Sequence, residues 1–387
     1  MPYFAERVHP MSPETPKGVR VGQVNLLSRR EFCRLGPLGA AAFIMSSSLF
    51  LPCLHSRSRL MNWAWLAESK ESTLGDWERV FLLTKQHGVN GGLVLAKPET
   101  IRLLGPLARR IGIELHNWII TLRCTDDEVK KTHPEWFMVN REGVSCLEKP
   151  PYVADYTWLC PSRKEVQAYL ESWIASLCAL SGLAGIHLDY IRYPDVILPA
   201  GIQPKYNLVQ DREFPEFDYC YCEVCRKLFQ AKTGRDPFEI KVPSQDEAWV
   251  KFRYDSVSSL VNRLVEVAHK NKKILTAAVF PSPSIARKLV RQDWPSWNLD
   301  AFFPMMYHEY YLQGIDWIGL VTAEGKEALS GKAKLYSGLF VEWLPPQKLV
   351  QAVHLAIKNG ASGVTLFMGT SMTPEQWKAL KKALDEL

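Results

Sequence analysis

From residue 61 to the end of the chain, apolar segments of two lengths take turns. Short runs in which several Val, Ile, Leu or aromatic residues follow one another predict strands buried on both faces, at 61–66, 91–96, 114–122, 185–190, 273–280, 299–307, 334–341 and 363–368. Between them lie longer amphipathic stretches that predict helices, among them 77–87, 165–180, 247–272, 347–359 and 374–387, several closed by a glycine such as Gly88 or Gly360. A strand-helix alternation of this length that ends in a helix predicts an α/β fold, a (β/α)8 TIM barrel. An open, doubly wound sheet is the alternative, but no glycine-rich turn after the first strand supports it.

The fourth predicted strand changes character at its end. Gly185-Ile186-His187-Leu188 reads as a central strand, and Asp189, Tyr190, Arg192 and Tyr193 then crowd in before Pro194, which cannot continue one. In a barrel of parallel strands the carboxyl ends face the site of chemistry, so Asp189 is the first functional candidate. The structural alternative is an Asp189–Arg192 ion pair at a strand end. His187 is expected to point away from Asp189.

Two connections stand out as long, 123–162 after the third strand and 195–246 after the fourth. Trp136, Phe137, Trp158 and Leu159 in the first are residues that pack, which argues against a disordered insertion. The second carries Cys220-Tyr221-Cys222-Glu223-Val224-Cys225, and three thiols so close suit convergence on one ion better than pairing with one another. The expected occupant is zinc, held by Cys220, Cys222, Cys225 and, from the end of the first connection, Cys160; Cys146 and Cys124 are alternatives for the fourth ligand. Four thiolates leave no open position, so the metal is read as structural, a staple between the two connections. Disulfides formed after export, or unpaired buried thiols, are the competing readings.

The first residues do not look like part of this fold. Ser28-Arg29-Arg30-Glu31-Phe32-Cys33-Arg34 precedes the uncharged run 35–52, the layout of a twin-arginine export signal. That run is short and interrupted by Gly36, Pro37 and Gly39, a poor membrane span, so no stable span is expected. Residues 1–56 are therefore expected to form a leader and 57–387 one folded domain, carried by the twin-arginine translocase to the periplasm or beyond the cell. That route accepts folded chains, so zinc can be inserted beforehand. Cys53 raises a lipoprotein reading, although Phe50-Leu51-Pro52 before it lacks small residues. The 387 residues are 47% hydrophobic and include 13 Trp and 14 Tyr, enough for a large core and for rings in a sugar-binding cleft. The net charge of +6 comes from scattered Lys and Arg, and no nucleic-acid partner is implied.

Together, the segment 185–194, His133-Pro134-Glu135-Trp136-Phe137, Thr233-Gly234-Arg235-Asp236-Pro237, Gln292-Asp293-Trp294 and Phe303-Pro304-Met305-Met306-Tyr307 resemble the glycosyl-hydrolase-like family 10 barrels. The resemblance covers nearly all of the chain from about residue 62 and implies an exported TIM-barrel glycosidase, some relatives acting on cell-wall or other glycans. The Cys-x-Cys-x-x-Cys run with one earlier cysteine is similar to the structural zinc site of family 42 β-galactosidases. In barrels related to α-galactosidases the nucleophile is an Asp on strand four and the acid comes from a later strand.

A glycosidase needs two carboxyl groups across one bond, one ionised and one protonated. Asp189 is expected as nucleophile or base, kept ionised by Arg192, with Glu309 after the sixth strand as acid and Glu342 after the seventh close behind. Trp63, Asn117, Trp118, Tyr190, Arg192, Tyr307 and Trp343 are expected to meet the substrate, a poly- or oligosaccharide. The competing function is an exported glycan-binding barrel with no working acid. A metal-dependent hydrolase is disfavoured because no two histidines are spaced as a catalytic metal pair at a strand end.

Overall fold

A computed structural model describes residues 60–69 and 72–387; the proposed signal at 28–52 lies outside them. Eight parallel strands, β1 (Trp63–Ala67), β2 (Gly91–Leu95), β3 (Glu114–Ile120), β4 (Gly185–Asp189), β5 (Ile274–Val279), β6 (Ala301–Pro304), β7 (Lys334–Phe340) and β8 (Gly363–Phe367), close in chain order into a barrel. The helices are α1 (Leu74–Gln86), α2 (Pro98–Ile111), α3 (Asp127–Thr132), α4 (Lys164–Cys178), α5 (Glu223–Thr233), α6 (Glu247–Lys270), α7 (Pro283–Val290), α8 (Trp317–Leu329), α9 (Pro346–Lys358) and α10 (Pro374–Asp385). This is the predicted (β/α)8 alternation, with an added short helix before α4 and another before α6. No helix among the described residues is long and apolar enough to cross a membrane.

Local chemistry explains the boundaries. Thr73 and Thr373 each close a capping box, with Asp76 and Gln376, at the starts of α1 and α10. Each cap contributes about 1 kcal/mol to its helix. The strands lie where the apolar runs predict them, but β6 is shorter than the run 299–307. Pro304 has no N–H for the ladder, Met305 makes only an isolated bridge to Gly338, and Tyr307 N–H turns back to the Met305 carbonyl.

Two cores result. Ile186 and Leu188 of β4 face the helices, in one apolar layer with Phe81, Leu170, Trp249 and Leu264. The lumen holds the other, a column of rings. Trp63, His116 and Tyr336 make its floor; Trp65, His187 and Phe303 lie above; Trp118, Tyr307 and Phe367 lie at the mouth. Glycine makes room for the two largest rings, because a Cβ on Gly91 would lie 2.1 Å from the Trp63 ring and one on Gly338 only 2.9 Å from Trp65. Filling a barrel with side chains in layers makes it a packed core, not a pore.

The alternation along β4 corrects one expectation. His187 and Asp189 are two residues apart and share the inward face. His187 is nevertheless no proton relay. Trp65 Nε1–H donates to His187 Nε2 at 3.0 Å, so the ring proton sits on Nδ1 and donates to Thr276 Oγ1, also at 3.0 Å. Burial, with the nearby His116, holds its pKa well below the usual histidine value.

Candidate functional site

Because all eight strands run the same way, Asp189 at the end of β4, Glu309 after β6 and Glu342 after β7 open on one end of the barrel. Asp189 is the best-held of the three. Its Oδ1 accepts the Tyr190 backbone N–H at 2.7 Å and its Oδ2 accepts Trp118 Nε1–H at 3.1 Å. Two N–H donors on two oxygens fix the plane of the carboxyl and favour its ionised form. Burial opposes them and prevails: the Asp189 pKa is raised, despite the Tyr190 N–H, the Arg192 charge, Trp118 and Arg123. Arg192 does favour the ionised form, but burial outweighs it.

Arg192 has another partner. Its Nη1 donates to Asp195 Oδ2 at 3.0 Å and to the Tyr193 carbonyl at 2.9 Å, and its Nη2 donates to the Tyr156 hydroxyl at 2.9 Å. Tyr156 in turn donates to Asp195 Oδ2 at 2.5 Å. Rings enclose the guanidinium, with Trp158 at 5.1 Å, Tyr190 at 5.3 Å and Phe280 at 4.9 Å. Burial pushes its pKa down, but Asp195 and Tyr156 outweigh it and raise the pKa above the usual value. The Asp189–Arg192 pair is thus replaced by a buried Asp195–Arg192–Tyr156 triad one turn along the chain. The Arg192 guanidinium is thus engaged within this triad. Asp195 and Tyr156 were not foreseen, although an Asp three residues after an Arg, across a proline, is a readable signal.

Tyr190, between the carboxylate and the triad, adopts φ +52°, which a bulky residue takes only under constraint. Its own N–H is the donor to Asp189 Oδ1. Gln292 steadies the same corner, accepting Phe280 N–H at 2.8 Å and donating to the Ile191 carbonyl at 3.2 Å.

The aromatic candidates divide. Trp118 touches Asp189, and Tyr307 faces it closely enough that the Asp189 charge adds to burial in raising the tyrosine pKa well above its usual value. Tyr307 lies 6.0 Å from Tyr310, which meets Trp343 edge-on at 4.7 Å, and Trp343 stacks on Phe340 at 4.2 Å. Glu342 borders this wall, its charge adding to burial in raising the Tyr310 pKa. Glu309 and Glu342 are exposed, and neither side chain makes an ion pair or hydrogen bond among the described residues. Trp63 and Asn117 do not reach the mouth. Trp63 is 3% exposed in the lumen floor, and Asn117 Nδ2 is spent on the carbonyls of Val94 and Ala96 at 3.2 and 3.4 Å.

Beside the mouth, Cys160, Cys220, Cys222 and Cys225 are buried with their sulfurs all within 4.8 Å of one another. Cys160 Sγ lies 3.5 Å from that of Cys225 and 3.6 Å from that of Cys222, close to the ~3.8 Å spacing of thiolates at 2.3 Å from a tetrahedral zinc. Cys222 caps α5 and Cys225 lies in its first turn, where N–H dipoles favour thiolate. Cys146 is engaged with the Trp158 backbone, and neither it nor Cys124 joins the cluster. The donor set fits a structural zinc.

No family model matches the chain, and no curated protein matches it in sequence. Its fold is shared with solved structures. The glycoside hydrolase domain of PgaB (BpsB) from Bordetella bronchiseptica aligns over 84% of this chain and 99% of its own, with TM-score 0.63 and 10% identity. The catalytic domain of a β-amylase from Paenibacillus polymyxa aligns over 85% and 98%, with TM-score 0.56 and 12% identity. A β-galactosidase from the haloarchaeon Halorubrum lacusprofundi aligns over 84% of this chain but 58% of its own, with TM-score 0.58 and 12% identity. At such identities the likeness shows the fold alone, and the fold is the TIM barrel on which these glycoside hydrolases are built.

Proposed function

We propose that this protein is an exported glycoside hydrolase that cleaves a poly- or oligosaccharide with two carboxyl groups, Asp189 acting as nucleophile or base. The observation that carries this reading is the Asp189 carboxyl itself. It ends β4 at the barrel mouth, both oxygens accept N–H donors, and Trp118 and Tyr307 wall it while it still reaches solvent. An oriented carboxylate with little water around it stabilises positive charge developing on a sugar ring above it. The acid comes from Glu309 or Glu342, both of which follow later strands onto the same face. Glu342 borders the Tyr310–Trp343 wall that leads to Asp189, where bound sugar would exclude water from the carboxyl. The likeness to the PgaB glycoside hydrolase domain and the resemblance of the segment 185–194 to glycosyl-hydrolase-like family 10 support the same class.

Zinc held by Cys160, Cys220, Cys222 and Cys225 belongs to this reading as a staple, not a reactant. It would cross-link the β3–α4 and β4–α6 connections beside the mouth, and its bonds would contribute to folding.

The experiment compares wild type with Asp189→Asn on peptidoglycan-derived strands and a panel of plant and bacterial polysaccharides. Reducing-end release by wild type, falling by several orders of magnitude in the variant while glycan binding persists, is the expected result. A folded wild type that binds glycans and releases no sugar would leave a binding protein in its place.

A further inference from the structure

We infer that a second cleft, between the β3–α4 and β4–α6 connections, is a remote subsite for a neutral hexopyranose unit, so that the substrate is a polysaccharide chain extending from Asp189 across Tyr310 to Tyr206. The inference deepens the proposed glycosidase activity and rests on it. The cleft has a volume of about 280 Å³ and is lined by Lys149, Pro151, Tyr152, Tyr206, Glu216 and Phe217. That is slightly below the ~300–1,000 Å³ of pockets that engulf a whole drug-sized ligand, as suits one sugar ring of a chain.

Its walls are built for the C–H face of a sugar. Tyr152 is locked: its ring stacks on Phe217 at 4.4 Å and 7°, its hydroxyl donates to the Asp195 carbonyl at 2.7 Å and accepts Gln210 Nε2–H at 3.0 Å, and its φ of +68° is one a large residue holds only under such constraint. Tyr206 stands at 58° to it, 5.8 Å away, partly exposed, and its hydroxyl has no hydrogen-bond partner among the described residues. Two rings set at an angle, with a proline beside them, offer apolar area and C–H···π contact to a flat pyranose. At the rim Lys149 and Glu216 supply a donor and an acceptor for hydroxyl groups. Lys149 is already shared with Glu142 at 3.8 Å, while the Glu216 carboxylate has no cationic partner among the described residues, so a uronic acid or sulfated sugar would meet net repulsion.

The connection that carries Tyr206 packs against the mouth. Gly201 N–H donates to the Tyr310 carbonyl at 2.8 Å, and a Cβ on Gly201 would lie 2.5 Å from the Glu309 carbonyl oxygen, so the β4–α6 connection sits directly on the turn after β6. Tyr206 contributes to the raised Tyr310 pKa after burial and Glu342, and Tyr310 is 6.0 Å from Tyr307, which faces Asp189. Rings therefore line the way from Asp189 to Tyr310, and the connection seated on Tyr310 carries Tyr206 to the cleft.

The test is calorimetric binding of unsubstituted cello-, malto- and N-acetylchito-oligosaccharides of two to six units to Asp189→Asn protein, with and without Tyr206→Ala or Lys149→Ala. One ladder should bind more tightly with each added unit. Tyr206→Ala should flatten that rise, weakening the longest oligomer about ten-fold while the shortest is unaffected, as loss of one ring face predicts. Tyr206→Trp should restore it, and Lys149→Ala, at an exposed site that leaves folding intact, should weaken the longest oligomer a few-fold. Affinity that stops rising at the disaccharide, equal weakening of short and long oligomers, or tighter binding of oligogalacturonate overturns the inference and leaves the glycosidase reading standing. Failure of every ladder to bind folded protein overturns both.

Discussion

Asp189 carries a conflict that can be measured. Burial raises its pKa while Trp118 and Tyr190 hold its oxygens as acceptors, so desolvation and hydrogen bonding pull its protonation in opposite directions, with desolvation the stronger. For a carboxyl whose folded pKa lies above its unfolded value, stability is highest below the unfolded value near 4 and falls as pH rises through the folded one. Asn cannot titrate, although its amide N–H2 would oppose one of the two N–H donors. The melting temperature of Asp189→Asn relative to wild type should therefore climb as pH rises from about 4 through the folded value, whatever its absolute value, and a difference that stays flat above pH 4 would contradict the raised pKa. The same shift predicts that sugar release by wild type fades on acidification at a higher pH than an ordinary Asp would give. Asp195 predicts the opposite kind of variant. Asp195→Ala leaves Arg192, 8% exposed, without its carboxylate, and should cost about 3 to 5 kcal/mol in denaturant unfolding. The sequence made Asp189 legible because a charge after an apolar run marks a strand end. It did not reveal the partner of Arg192, since neighbours in sequence leave a strand end in different directions, and only the fold shows that Tyr156 and Asp195 close around it.

Among the elements, the eight apolar runs were readable because a strand covered on both faces needs continuous apolar residues, and helices between them need only a stripe. The ends were less readable, as β6 shows, because a proline truncates the ladder without interrupting hydrophobicity. The cysteine cluster was readable as well, since Cys222 directly precedes α5 and Cys225 lies in its first turn, while Cys160 arrives from a connection that ends at α4. The prediction belongs to those connections. Purified protein should contain about one zinc per chain, and Cys222→Ser should lose it along with several degrees of melting temperature. Proteolysis should then cut first within 123–162 and 195–246. Metal analysis that finds none, with disulfides among the four cysteines by mass spectrometry, would overturn the metal reading.

At the scale of the whole molecule, the expectation concerns the first 56 residues. Fused to a folded reporter, they should direct export through the twin-arginine translocase, and Arg29→Lys with Arg30→Lys should keep the reporter inside the cell; export that survives both changes would refute the signal.

The rings that fill the lumen also decide how the mouth is seen from outside. Trp63 and Trp65 seal the floor and middle, and His187 among them is held neutral, so the layer directly beneath Asp189 is packed with uncharged rings. A charge above a weakly polarisable plug and below open solvent sends its field lines outward. The barrel thus behaves as a one-ended funnel: in the proposed glycosidase, sugar, water and proton would share a single doorway, and the negative potential of an ionised Asp189 would be spent on whatever stands in it.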